Sequence, residues 1–253
     1  MNFKNKCKPT IITEFAANIS LDTIFDIENK GLSNGEWDDT KKLINIYGIA
    51  KGMSYLHSLN ILHRDLKPGN IFIDEYLFPK IGDFGLSKEL IAEDSKNPST
   101  ENNQNKSGNL GTPAFMSPEI ISDNLYTKSG DVYAFAMIVY QIVTNDEIYQ
   151  NYHFIQLFNN VAKGERPEFK RPISDCYRDL IERCWSQEPE KRPTFDEIVD
   201  ELENDTDFIT ENSIDPLQYY KYMEYVNHPE AISYGPDDII LIERYDDYFN
   251  FDC

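Results

Sequence analysis

His63-Arg64-Asp65-Leu66-Lys67-Pro68-Gly69-Asn70 is followed, thirteen residues after Asn70, by Asp83-Phe84-Gly85. Between the two runs lies Ile71-Phe72-Ile73-Asp74, a short apolar segment with strand character. The region offers a carboxylate (Asp65), an ammonium (Lys67), an amide (Asn70) and a second carboxylate (Asp83), set on loops around a hairpin. A carboxylate can receive the proton of a hydroxyl. An ammonium can neutralise charge developing on a phosphoryl group. Amide and carboxylate oxygens are the hard donors that Mg²⁺ takes. Few chemistries need all four groups so close together.

Outward from this stretch the periodicity is helical. Over Thr40–Ser58, Leu43, Ile46, Tyr47, Ala50, Met53 and Leu56 recur at spacings of three and four, which predicts one buried stripe with Asp38 or Asp39 as cap. His57 reads as a helix-end residue. Farther upstream, Thr10–Phe15 is β-branched and apolar and reads as a strand. Downstream, residues 92–109 carry five asparagines and no aliphatic residue larger than Ala92, a composition that cannot bury enough surface to order itself. Asp131–Val143 is apolar almost all round, so it must be buried on every side. Phe154–Lys163 reads as an amphipathic helix stopped by Gly164 and Pro167. In Ser174–Trp185 the buried face is Tyr177, Leu180, Ile181 and Cys184. Thr194 and Glu197 have the spacing of a capping box, with Ile198 and Leu202 on one face after it.

The 253 residues carry a formal charge of −20, which argues against nucleic acid or an anionic membrane as partner. Residues 205–253 hold twelve acidic and two basic side chains, so half of that charge lies in the last fifth of the chain. A boundary is expected near 205. Within the tail, Asp215-Pro216 forms a cap and N1 proline, and Leu217, Tyr220 and Met223 are expected on one helical face. Ten aromatics after residue 205 are too many for a plain solvated tail, so partial docking on the rest of the chain is expected. No run approaches 18 apolar residues, so no membrane insertion is expected. Four cysteines without CxxC spacing point to reduced thiols, and with them to the cytoplasm, with the nucleus as the alternative.

The His63–Asn70 run with Asp83-Phe84-Gly85 closely resembles the catalytic loop and Mg²⁺-binding segment of the protein kinases. The run Leu180–Leu202 resembles the end of that domain in the tyrosine-kinase-like group. The resemblance implies a mainly α fold: a kinase C-terminal lobe with short β-hairpins and a remnant hinge strand, a truncated α+β kinase fold. It divides the chain into an N-terminal segment 1–9, a kinase region 10–204 and an acidic tail 205–253. It implies ATP and Mg²⁺ as cofactors and a protein substrate. Asp65 would be the base or orienting group, with Lys67 on the γ-phosphate and Thr112 bridging the two. Asn70 and Asp83 would hold Mg²⁺, and Phe72 would form the floor beneath the adenine. Thr13 would be the gatekeeper, Glu14 and Ala16 would meet the adenine edge, and Asp22 would lie near the ribose. Asp131 would hold the His63-Arg64-Asp65 turn, and Arg192 would pair with Glu119. Lys67 and Thr112 follow the pattern of serine/threonine rather than tyrosine kinases. Residues 92–109 fall in the activation loop, where Ser95, Ser99, Thr100 or Ser107 would accept phosphate from an upstream activating kinase and Arg64 would await it.

The chain departs from the pattern in four places. Ser117-Pro118-Glu119 stands for the commoner Ala-Pro-Glu, Tyr133 for a frequent Trp, and Ala136 for a frequent Gly. The family places roughly eighty residues before the hinge strand, carrying a Gly-rich loop and a strand lysine. Here nine residues precede Thr10, and no GxGxxG occurs. The expectation is a C-lobe plus hinge without its N-lobe, binding MgATP weakly. The alternative is a kinase-like fragment that serves as a protein-binding scaffold.

Overall fold

The computed structural model describes residues 19–90, 112–150, 152–210 and 213–228. The expected strand Thr10–Phe15 and the loop 92–109 lie outside the described residues. Strand β1 (Ile19–Ser20) runs directly into helix α1 (Leu21–Asn29). Sequence reading did not anticipate α1, whose nine residues give too short a period to separate from a loop. Leu21, Ile24 and Phe25 are its buried face, at i, i+3 and i+4.

Helix α2 (Asp39–Ser58) starts where Asp38 accepts a hydrogen bond from the Lys41 amide, 2.8 Å away. The single stripe expected for it is too narrow. Ile44, Ile49 and Asn45 are buried along with Leu43, Ile46, Tyr47, Ala50 and Met53, while Leu56 is only partly covered. The cause is tertiary, because α2 is packed by several neighbours at once: the strand after the catalytic stretch and three later helices. A helix enclosed in this way loses its polar face.

The strands are short. β2 (Ile61–Leu62) precedes the catalytic stretch, β3 (Ile71–Ile73) and β4 (Pro79–Ile81) form the hairpin after it, and β5 (Lys88–Glu89) follows Asp83-Phe84-Gly85. β1, β3 and β4 make an antiparallel sheet in the order β1-β3-β4, with Ser20 opposite Phe72 and Phe72 opposite Lys80. β2 and β5 pair antiparallel, Leu62 opposite Lys88. Two sequence-distant polar residues of α2 fix the β3–β4 turn. Lys41 Nζ donates to the Tyr76 carbonyl at 2.9 Å, and Asn45 Nδ2 donates to the Leu77 carbonyl at 2.8 Å.

The remaining helices are α3 (Pro118–Asp123), α4 (Lys128–Thr144), α5 (Phe154–Ala162), α6 (Asp175–Cys184), α7 (Phe195–Asn204) and α8 (Pro216–Asn227). α4 is buried over nearly its whole length, as its apolar run requires. The Thr194–Glu197 capping box opens α7, with both reciprocal hydrogen bonds present. In α8 the expected face is corrected. Tyr219 and Tyr222 are the buried residues, whereas Leu217 and Tyr220 are exposed. The Tyr47 ring meets both Tyr219 and Tyr222 edge-on, at 5.8 and 6.1 Å. These aromatic contacts, and not aliphatic content, choose the face. No helix among the described residues is long and apolar enough to cross a membrane.

Candidate active site

Asp131 stands in the first turn of α4, where the helix dipole favours a negative charge. Its Oδ2 accepts the His63 amide at 2.9 Å and its Oδ1 accepts the Arg64 amide at 3.0 Å. His57, at the end of α2, lies 2.9 Å from Oδ2 through its Nε2. Arg64 is held at φ +69°, a left-handed conformation that disfavours side chains with a Cβ. The strained turn is therefore clamped from below by one buried carboxylate. The Arg64 guanidinium lies over the Tyr126 ring, 5.0 Å from its centroid.

The clamp presents Asp65 to Lys67 and Thr112. Lys67 Nζ is 2.8 Å from Asp65 Oδ2 and donates to Thr112 Oγ1, also at 2.8 Å. The Thr112 amide and hydroxyl both donate to Asp65 Oδ1, at 3.0 and 3.2 Å. One hydroxyl thus accepts from the ammonium and donates to the carboxylate, using both of its capacities. Asn70 Nδ2 donates to the Asp65 carbonyl at 2.7 Å and to Oδ2 at 3.1 Å. With its two N–H groups committed to Asp65, Asn70 keeps its side-chain carbonyl as an acceptor.

The second segment is joined to the first by its backbone. The Gly82 amide donates to the Asn70 carbonyl at 2.9 Å, and the Gly82 carbonyl lies 3.1 Å from His63 Nε2. A Cβ at Gly82 would stand 2.5 Å from the Phe72 ring, so only glycine lets the two strands approach this closely. Asp83 follows at φ +57°, exposed, its Oδ1 accepting the Gly85 amide at 3.3 Å. Ile71 and Ile73 are fully buried, while Phe72 between them points to the opposite face and is only partly covered.

The structure thus brings Asp65, Lys67, Asn70 and Thr112 into one hydrogen-bonded group. Asp83 and Phe72 reach it through Gly82. Asp22 lies beside it: it is bonded to the Ser20 hydroxyl and the Thr23 amide, and its Oδ2 faces Gly69. Thr13, Glu14 and Ala16 lie outside the described residues, as do Ser95, Ser99, Thr100 and Ser107. Sequence reading missed the part played by His57, because its partner is 74 residues away in the chain.

The donor set fits Mg²⁺. The exposed carboxylate of Asp83 and the side-chain carbonyl of Asn70 are oxygen donors, and among the described residues no group of three His, Cys, Asp or Glu side chains could form a closed metal cage. Mg²⁺ bound to a nucleotide takes one or two protein oxygens and fills its remaining positions with phosphate and water.

Far from the reacting groups, Arg192 and Glu119 form a buried bidentate pair, at 2.7 and 2.9 Å. Arg192 also donates to the carbonyls of Ser129 and Ser186, each at 2.9 Å. The Tyr133 ring lies beneath both Arg192 and Arg166, with guanidinium carbons 5.1 and 5.0 Å from its centroid. The pair ties α3, which follows Thr112, to the segment before α7.

The fold and this constellation define a protein kinase lobe. The chain belongs to the protein kinase domain family, whose family model matches residues 2–202. It is 37% identical over 193 residues to the RGS domain-containing serine/threonine-protein kinase A of Dictyostelium discoideum, a match covering 76% of this chain and 16% of that protein. It is 33% identical over 196 residues to the serine/threonine-protein kinase CTR1 of Arabidopsis thaliana, covering 76% of this chain and 22% of that one. The matched region therefore spans less than a quarter of either relative.

Proposed function

We propose that this chain carries the catalytic loop of a protein serine/threonine kinase, transferring the γ-phosphoryl group of ATP to a Ser or Thr hydroxyl of a protein. The observation that carries the reading is Thr112 Oγ1 bonded to both Lys67 and Asp65, 2.8 and 3.2 Å away. In this reading Asp65 orients the attacking hydroxyl and receives its proton. Lys67 neutralises charge on the phosphoryl group as the bond to the leaving phosphate breaks and the bond to the hydroxyl oxygen forms. Asn70 and Asp83 would hold Mg²⁺, which supplies charge neutralisation on the phosphates. Phe72 would lie against the adenine, Glu14 and Ala16 would meet its edge, and Asp22 would approach the ribose.

The test uses the purified 253-residue chain. Because no GxGxxG occurs in it, nucleotide binding and transfer are expected to be weak. Transfer to a Ser peptide, followed with labelled ATP, should vanish in Asp65→Asn while the thermal melt is unchanged. Chelation of Mg²⁺ by EDTA, or Asp83→Asn, should abolish both nucleotide binding and transfer. Equal transfer by wild type and Asp65→Asn would overturn the reading.

A second reading is a protein-binding scaffold, for which Asp65→Asn would leave the cellular role unchanged. Regulation by an upstream kinase acting on residues 92–109 belongs to the enzyme reading, and is supported by Arg64 standing next to Asp65. A reducing compartment, the cytoplasm or the nucleus, is supported by Cys184, buried in the core as a thiol.

A further inference from the structure

Strand β4 leads directly into Gly82 and Asp83, yet its own hydrogen bonds secure it poorly. It has three residues, lies at the edge of its sheet, and begins with Pro79, which has no N–H to give. Its position is set from beneath, by α2. Pro79 and Ile81 are two residues apart, so they share one face of the strand. They stand over Gly48 and Gly52, which are about one helical turn apart. A Cβ at Gly52 would come 2.7 Å from Ile81 Cδ1, and one at Gly48 would come 2.6 Å from Pro79 Cγ. The Gly48 notch has a second occupant, because the Tyr222 hydroxyl enters it from α8, beside Pro79. Tyr222 is buried, and its ring lies 4.6 Å from that of Phe78, the residue before Pro79. Leu77, one residue earlier, is held at φ +62°, where a side chain with a Cβ is disfavoured. Tyr222 therefore holds the chain at Phe78 and Pro79, the two residues through which it enters β4. Helix α8 lies outside residues 2–202, the stretch that the family model matches, so this contact is an addition to the shared domain.

We infer that Tyr222 is a positioning residue for Asp83: by sharing the Gly48 notch with Pro79 it fixes β4, and β4 fixes Gly82 and Asp83. The inference rests on the proposed reading in which Asn70 and Asp83 hold Mg²⁺, and makes that pair depend on α8. Mg²⁺ demands near-ideal octahedral geometry, so its protein oxygens must be held at a set separation. The Gly82 amide, bonded to the Asn70 carbonyl at 2.9 Å, ties the two donors together and reports whether β4 is seated.

The test uses the full 253-residue chain at a temperature where every variant is folded. Tyr222→Leu empties the notch. Gly48→Ala fills it with a methyl group that must displace Pro79 or Tyr222, while leaving the aromatic cluster complete. Tyr219→Leu is the control, a neighbouring buried tyrosine whose contacts are with Tyr47 and the Leu202 carbonyl. Two quantities are read: exchange of the Gly82 amide without metal or nucleotide, and the Mg²⁺ concentration that half-saturates binding of a fluorescent ATP analogue. Tyr222→Leu and Gly48→Ala should speed the exchange and raise the Mg²⁺ requirement roughly tenfold, the lower end of what a metal site loses with the support of its ligands. Tyr219→Leu should lower the melting temperature and change neither quantity. Faster exchange in the two notch variants, with no Mg²⁺-dependent binding even in wild type, would uphold the hold on β4 and count against the kinase reading. Unchanged exchange in both notch variants, or an equal rise in Tyr219→Leu, would overturn the inference. So would faster exchange with an unchanged Mg²⁺ requirement, which would leave Tyr222 a packing residue.

Discussion

At the scale of single residues, two buried charges organise the lobe, and both act through backbone as much as through side chains. Asp131 gathers two amides and His57, while Arg192 gathers Glu119 and two carbonyls. Neither touches the group around Asp65, yet each fixes a segment that does. Removing one partner of a buried pair strands the other charge, so Arg192→Met should lower unfolding free energy by roughly 3–5 kcal/mol in urea titrations. The double variant Arg192→Met/Glu119→Leu should recover a large part of that loss, because no lone carboxylate remains. Asp131→Ala leaves two amides without their acceptor and should cost roughly 2–6 kcal/mol, at about 1–3 for each. Nucleotide affinity measured at a temperature where that variant is still folded should fall as well, since nothing then holds Arg64 at φ +69°. Asp131, Arg192 and Glu119 were legible in the sequence because the family pattern fixes their spacing. Lys41, Asn45 and His57 were not. Their partners lie 35, 32 and 74 residues away, and only the finished packing brings them together.

At the scale of elements, legibility followed the strength of local signals. Helix α7 was readable from its first residue, since Thr194 and Glu197 cap each other before any tertiary contact is made. Helix α4 was readable from its unbroken apolar run. For α2 and α8 the period was right and the face incomplete or wrong, because several neighbours cover α2 and a tyrosine cluster selects the face of α8. The α7 cap carries a pH signature. Hydrogen bonds from the Thr194 amide and hydroxyl hold the Glu197 carboxyl below the usual glutamate value of 4.5. In the unfolded chain Glu197 takes up its proton near that value, while in the folded chain it does so only at lower pH. Its contribution is therefore complete above about 4.5 and is lost as pH falls through the folded value. Urea titrations of wild type and Glu197→Gln should differ at pH 7, and the difference should shrink as pH falls below 4.5. Thr194→Ala should cost roughly 1 kcal/mol at neutral pH, the usual value of an N-cap.

At the scale of the whole molecule, the charge boundary near residue 205 and the edge of the core do not coincide. Phe208, Ile214, Tyr219 and Tyr222 belong to the same buried cluster as Leu43, Phe135 and Leu180. The Tyr219 hydroxyl donates to the Leu202 carbonyl at 3.0 Å, and the Asp215 amide donates to Thr40 Oγ1 at 2.9 Å. The Tyr222 ring also lies 4.6 Å from Phe78, in the turn that joins β3 to β4. Helix α8 thus braces the back of the hairpin whose front carries Phe72 and, a few residues on, Asp83. Composition could not show this, because the twelve acidic side chains of residues 205–253 mask the aromatic residues on the inner face of α8. Burial strongly disfavours the ionised form of both tyrosines, so they serve as neutral packing groups with a polar tip. Tyr222→Ala should leave a cavity and cost roughly 3–5 kcal/mol, by analogy with other large aromatic truncations. A chain ending at residue 204 should be destabilised further and should bind a hydrophobic dye in its native baseline, since the Tyr47 and Phe78 rings lose their cover. Should the chain ending at 204 melt at the same temperature as the full 253 residues, α8 would be an accessory rather than a brace. In that case the core would end where the charge composition changes.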